Sequence, residues 1–191
     1  MLLARLRSSA VNALGRLRRL QGDVLDAFAA RPPTPTAAAI EHRVLFVCYG
    51  NSCRSPLAEG ILRAKLARRG LLGRVVVDSA GTNAGDVGAP PDWRARRVAR
   101  RHGVAIGDLR GRPFVRDADF DRFDRIVALD HRNRDALLAL ARDDADRQKV
   151  RLLRDGEGEV ADPVDGTGAD FERAYRQIDE ATDRLLDELA G

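Results

Sequence analysis

The chain has 191 residues, 44% of them hydrophobic and 32% charged, with a formal net charge of +4; that suits one domain with a good core plus an appendage. Two cysteines are too few for a disulfide framework, and no stretch approaches the ~18 uninterrupted apolar residues of a membrane span. The excess charge is local: residues 1–40 hold six arginines against Asp23 and Asp26, while residues 41–191 hold 27 basic and 27 acidic groups. A neutral domain with few aromatics gives no support for a general nucleic-acid surface.

Taken in chain order, the first segment is residues 1–30. Leu3, Leu6, Ala10, Ala13, Leu17, Leu20, Val24 and Ala27 recur at three-four spacing, which predicts a basic amphipathic helix. Gly22 weakens it. Such a helix suits an anionic membrane surface or a partner; an unstructured extension and an organelle transit peptide are the alternatives. Residues 31–40, opening Arg31-Pro32-Pro33-Thr34-Pro35, form a stiff Pro/Thr/Ala linker. Residues 41–191 make the domain.

Within the domain, strands are expected near 43–48, 74–78, 124–129 and 149–153, with helices near 55–69, 91–102, 131–142 and 169–189. This alternation predicts an α/β fold of three layers, with a small, about four-stranded parallel sheet flanked by helices. Ligands in such sheets lie beyond the carboxyl ends of the strands, and Cys48 sits at one.

Residues 47–56 read Val47-Cys48-Tyr49-Gly50-Asn51-Ser52-Cys53-Arg54-Ser55-Pro56. A buried strand delivers a cysteine, a Gly-Asn turn and an arginine to the start of a helix. Inward N–H groups and a helix N-terminus form an anion nest, and the same field favours a thiolate. The loop therefore offers a nucleophile, Cys48, and a phosphate cradle of Tyr49, Gly50, Asn51, Ser52 and Cys53. Arg54 has the planar fork that holds two phosphate oxygens. Ser55 is placed to donate to the thiolate, and equally to act as a helix cap. Asn51 suits a left-handed turn.

The Cys-x-Gly-Asn-x-Cys-Arg-Ser pattern at 48–55 resembles the phosphate loop of the low-molecular-weight protein tyrosine phosphatases. The resemblance runs in order through Asp78-Ser79-Ala80-Gly81-Thr82, Phe123 to Asp130, and Asp162-Pro163. It implies a phosphoric monoester hydrolase acting on phosphorylated proteins through a phosphocysteine on Cys48, with Arg54 binding phosphate, Asp162 as general acid and base, and Ser79 bracing Asn51. It also implies that Cys53 can form a reversible disulfide with Cys48. No cofactor or metal is called for, since His42, His102 and His131 are scattered. A reducing, cytoplasmic setting is expected, with membrane-peripheral placement through residues 1–30 as an option.

Two departures bear on substrate. Tyrosine-directed members carry aromatics after Asp-Pro, whereas this chain has Val164-Asp165-Gly166; Tyr49 is left to supply one wall. Ser52 stands where isoleucine is common in tyrosine phosphatases and threonine in arginine phosphatases. A phosphoarginine phosphatase, or an arsenate reductase using an external thiol, are the alternatives. The run Arg94, Arg96, Arg97, Arg100 and Arg101 reads as a solvated helix face, or as a dock for an acidic substrate.

Overall fold

The computed structural model describes residues 40–191; the expected helix at 1–30 and most of the linker lie outside them. Four strands, β1 (His42–Cys48), β2 (Val75–Gly81), β3 (Arg125–Ala128) and β4 (Val150–Leu152), form one sheet in the order β2-β1-β3-β4. Every neighbouring pair is parallel. The helices are α1 (Arg54–Arg68), α2 (Trp93–Arg101), α3 (Arg116–Arg122), α4 (His131–Leu140), α5 (Asp144–Lys149) and α6 (Gly168–Ala190). The expected three-layer α/β class is the one observed.

β1 is central and buried on both faces, so it reads as a continuous apolar run rather than an alternating one. Val44 and Phe46 face a core shared with Leu57, Ile61 and Leu62 of α1 and Phe171 and Ile178 of α6. Leu45 and Val47 face the opposite core, with Phe120, Phe123 and Leu137. The chain reverses its winding at β1, so β1 and β3 flank the switch point where doubly wound sheets bind ligands. Cys48 ends β1, and Ala128 pairs with Val47 beside it.

The differences from the sequence expectation are local. β2 runs on to Gly81, whose backbone continues the ladder beside Cys48. Two short helices, α3 and α5, stand in stretches without apolar periodicity. α5 is set by its cap, Asp143, whose carboxylate accepts the Asp146 N–H. α5 ends at Lys149, which shortens β4 to Val150–Leu152.

Candidate active site

The turn after β1 is anchored on all sides. The Cys48 carbonyl accepts the Thr82 N–H at 2.9 Å and the Tyr49 carbonyl accepts that of Asn83 at 2.8 Å. Asn51 has φ of 53°, the only positive value at a non-glycine among the described residues, in the left-handed region that asparagine tolerates. Its side chain is buried. Nδ2 donates to Ser55 Oγ and Ser79 Oγ, both at 2.9 Å, and Oδ1 accepts the Arg112 N–H at 2.8 Å. Gly81 is required for the same reason. A Cβ there would lie 2.7 Å from the Tyr49 carbonyl oxygen and 2.9 Å from the Asn51 nitrogen.

Ser79 braces Asn51 geometrically and passes the chain on, its Oγ donating to Glu59 at 2.7 Å. Glu59 is buried and sits 3.0 Å from Arg63. Burial raises its pKa above the ordinary carboxyl value, against the Ser79 hydrogen bond and Arg63, which lower it.

Cys48 Sγ lies 3.0 Å from Ser55 Oγ. Ser55 is the second residue of α1 and not its cap; Cys53 holds the cap position without a side-chain hydrogen bond. The first turn of α1 therefore keeps its N–H groups for the loop and whatever it holds. Cys53 is buried, and desolvation pushes its thiol up to about 12. It is thereby kept protonated at neutral pH. Both cysteines are free thiols. The Ser52 carbonyl accepts the Asp92 N–H at 2.9 Å, and its hydroxyl lies 3.6 Å from Cys53 Sγ.

Arg54 is 2% exposed. Nη1 donates to Asp130 Oδ2 at 2.5 Å and to the Val160 carbonyl at 3.0 Å, and Nη2 donates to Asp162 Oδ2 at 2.6 Å. Nε is buried with no hydrogen-bond partner. Burial works against the guanidinium charge, yet Cys48, Asp130 and Asp162 together raise its pKa above the usual value. The sequence-predicted residues Cys48, Arg54, Ser55 and Asp162 are thus brought together, with Asn51 and Ser79 behind them.

Nothing in the sequence marks Asp130 as a site residue. It lies two residues beyond β3 and caps α4, Oδ1 accepting the Asn133 N–H at 2.6 Å. Asn133, oriented to satisfy its neighbours, donates its amide to Asp130 Oδ1 at 2.9 Å and accepts the Tyr49 N–H at 3.3 Å. A strand-end aspartate before a helix is an ordinary cap signal, and the long reach to Arg54 leaves no local trace.

The Asp162 turn is more open. Asp162 is 38% exposed on its side chain, and Oδ1 accepts the Val164 N–H at 3.2 Å. Arg94 holds the rest of the turn, donating to the Val164 carbonyl at 2.9 Å and the Gly166 carbonyl at 3.1 Å. Asp92 orients Arg94 at 2.9 Å, and Phe171 lies under its guanidinium at 4.5 Å. Arg94 is therefore a tether and not part of a solvated face. Tyr49 is half-exposed at the mouth, its hydroxyl accepting from Asn83 at 2.5 Å, with Arg132 over its ring at 4.9 Å.

The chain belongs to the low molecular weight phosphotyrosine protein phosphatase family, whose model matches residues 43–191. A low molecular weight protein-tyrosine-phosphatase of Streptomyces coelicolor is 40% identical over 152 residues, covering 76% of this chain and 92% of the relative. The structure of a protein tyrosine phosphatase from Entamoeba histolytica aligns with TM-score 0.74 at 33% identity, over 78% of this chain and 97% of its own. The arginine phosphatase YwlE of Geobacillus stearothermophilus aligns with TM-score 0.69 at 27% identity, over 78% and 93%.

Proposed function

We propose that this protein hydrolyses phosphotyrosine on protein substrates through a phosphocysteine intermediate. The observation that carries the reading is the buried Arg54 guanidinium, with an unpartnered Nε, six residues on from Cys48 at a helix start without a side-chain cap. A buried donor without a partner is costly, and a phosphoryl oxygen satisfies it.

In this reading the Cys48 thiolate attacks phosphorus as the P–O bond to the tyrosine breaks. Asp162 gives its proton to the leaving phenolate. Water then attacks phosphorus, giving a proton to Asp162, as the S–P bond breaks; inorganic phosphate leaves with the thiolate restored. Ser55 Oγ, 3.0 Å from Sγ, donates to the departing thiolate. The loop residues Tyr49, Gly50, Asn51, Ser52 and Cys53 cradle the phosphoryl oxygens, with Ser79 as loop support. No cofactor enters the cycle. The test is Cys48→Ser, which is expected to drop turnover below about a hundredth of wild type while inorganic phosphate still binds. Greater residual turnover overturns Cys48 as nucleophile.

Phosphoarginine is the second reading, favoured by the absence of aromatics at Val164-Asp165-Gly166 and by Ser52. Against it, Arg132 over Tyr49 puts a positive charge where a guanidinium leaving group would pass. Phosphate release from matched phosphotyrosine and phosphoarginine peptides decides between them.

Cys53, buried and protonated, is further proposed to close a disulfide onto an oxidised Cys48; reversible peroxide inactivation, lost in Cys53→Ser, tests this. Residues 41–191 are proposed as the catalytic domain, consistent with the match at 43–191, with residues 1–30 as a membrane-surface or partner contact and 31–40 as linker. No nucleic-acid partner is proposed. Among the described residues no helix is long and apolar enough to cross a membrane, and the two free thiols suit a cytoplasmic setting. Co-sedimentation with anionic liposomes, with and without residues 1–38, tests the surface contact.

A further inference from the structure

A dense run of positive charge lies on α2, the helix whose Arg94 holds the Asp162 turn. α2 carries Arg94, Arg96, Arg97, Arg100 and Arg101 within nine residues. Asp92 pairs with Arg94, and Glu172 is shared by Arg101 at 3.5 Å and His102 at 2.7 Å. Arg97 and, across from it on α6, Arg176 are exposed and form no ion pair among the described residues. The two helices enclose a groove of about 520 Å³ lined by Trp93, Arg94, Arg97, Arg101, Glu172 and Arg176, among others.

Two further features give the groove direction. Arg94 belongs both to its lining and to the Asp162 turn, through the Val164 and Gly166 carbonyls, so the groove opens next to the proposed site of proton transfer. Trp93, the chain's only tryptophan, is 60% exposed along it. An exposed aromatic among cations in a concave surface is the make-up of a peptide contact. Arg132, stacked on Tyr49, adds a further cation at the mouth.

We infer that the groove between α2 and the start of α6 docks an acidic segment of the phosphoprotein substrate, alongside the phosphotyrosine held at Cys48. This rests on the phosphatase reading and deepens it to a substrate class: phosphotyrosine flanked by Asp and Glu. Docking away from the reacting atoms lowers KM and steers association, while the chemical step is left unchanged.

The experiment compares wild type with Arg97→Glu/Arg176→Glu on three substrates: a small aryl phosphate, a phosphotyrosine peptide flanked by glutamates, and one flanked by lysines. Wild type is expected to prefer the acidic peptide. The double variant should lose about tenfold in kcat/KM on it, mostly through KM, as two exposed ionic contacts are reversed. It should gain on the lysine peptide and keep the aryl phosphate rate. The preference should fall with added salt. Arg97→Gln/Arg176→Gln should lie between, and unchanged aryl phosphate turnover shows that both variants are folded.

A parallel titration follows Trp93 fluorescence as the unphosphorylated acidic peptide is added, a readout that needs no turnover. Equal kcat/KM ratios in all three proteins, or no Trp93 response, overturn the groove. Loss of binding to anionic vesicles or duplex DNA with the peptide ratio unchanged also overturns it, in favour of another polyanion. Peptide binding without turnover of any phosphotyrosine substrate sinks the phosphatase reading and leaves the groove standing.

Discussion

The loop at 48–55 supplies the Arg54 guanidinium that the turn at 162–167 meets, yet the two are built in opposite ways. The first is largely buried and immobilised from all sides, with Asn51 bonded three ways and Gly81 packed against the peptide units. The second is largely exposed and is held by two arginine side chains, Arg54 from inside and Arg94 from outside. The difference suits the two tasks. A cradle must be preorganised to stabilise charge, while a group that gives and takes a proton must follow the leaving oxygen and then water.

The largest test of that contrast is Asp162→Ala. It is expected to lower kcat by about 10²–10⁴, the usual worth of a positioned acid, and the loss should shrink for aryl phosphates with acidic leaving groups. An equal loss across leaving groups makes Asp162 a turn residue only. Gly81→Ala attacks the cradle instead. The added Cβ meets backbone, so the loop itself must shift, at a cost of about 1–3 kcal/mol in stability. Inorganic phosphate affinity and kcat should fall together, whatever the leaving group. Unchanged phosphate affinity refutes the rigid cradle.

Arg94→Ala loosens the outer hold on the turn. Kinetics across a leaving-group series should show kcat falling about tenfold for poor leaving groups, through misplacement of Asp162, with phosphate affinity intact. Arg94→Lys should not restore it, since one ammonium cannot reproduce the fork that spans two carbonyls. Full activity in both variants dismisses the tether.

The smallest effect concerns Glu59 beneath the cradle. Its folded pKa is raised by burial above the unfolded value, so the fold binds its proton more tightly than the unfolded chain does. Stability from this group is present below the unfolded pKa of about 4.5 and is lost as pH rises through the folded pKa. Glu59→Gln keeps an acceptor for Ser79 and removes the titration. Its Tm relative to wild type should therefore climb between pH 4 and pH 7. A constant difference shows that Glu59 titrates alike in both states.

The cradle is legible in the sequence because it is local: Cys48, Asn51, Arg54 and Ser55 lie within eight residues, and their spacing carries the geometry. β1 is legible as an unbroken apolar run. Asp130, the Arg112 N–H on Asn51 and the Arg94 tether are not, since each acts across 61 to 76 residues. Their residue types have plainer local uses, a helix cap for Asp130 and a charged helix face for Arg94. α3 and α5 escape notice because segments as polar as Arg116-Asp-Ala-Asp-Phe-Asp-Arg122 and Asp144-Ala-Asp-Arg-Gln-Lys149 have no apolar periodicity and bury only two residues and one residue respectively.

Arg54 clasps Asp130, 76 residues away, and Asp162, 108 residues away. This gives the site a place in time as well as in space. In a chain emerging from synthesis, the cysteine, the turn and α1 are made first, and the second carboxylate follows 108 residues after Arg54. Parallel pairing over such separations is slow, because loop closure precedes its reward. On refolding from denaturant, recovery of activity should therefore trail recovery of helical signal, and an enzyme assay reports the last contacts of folding rather than the first.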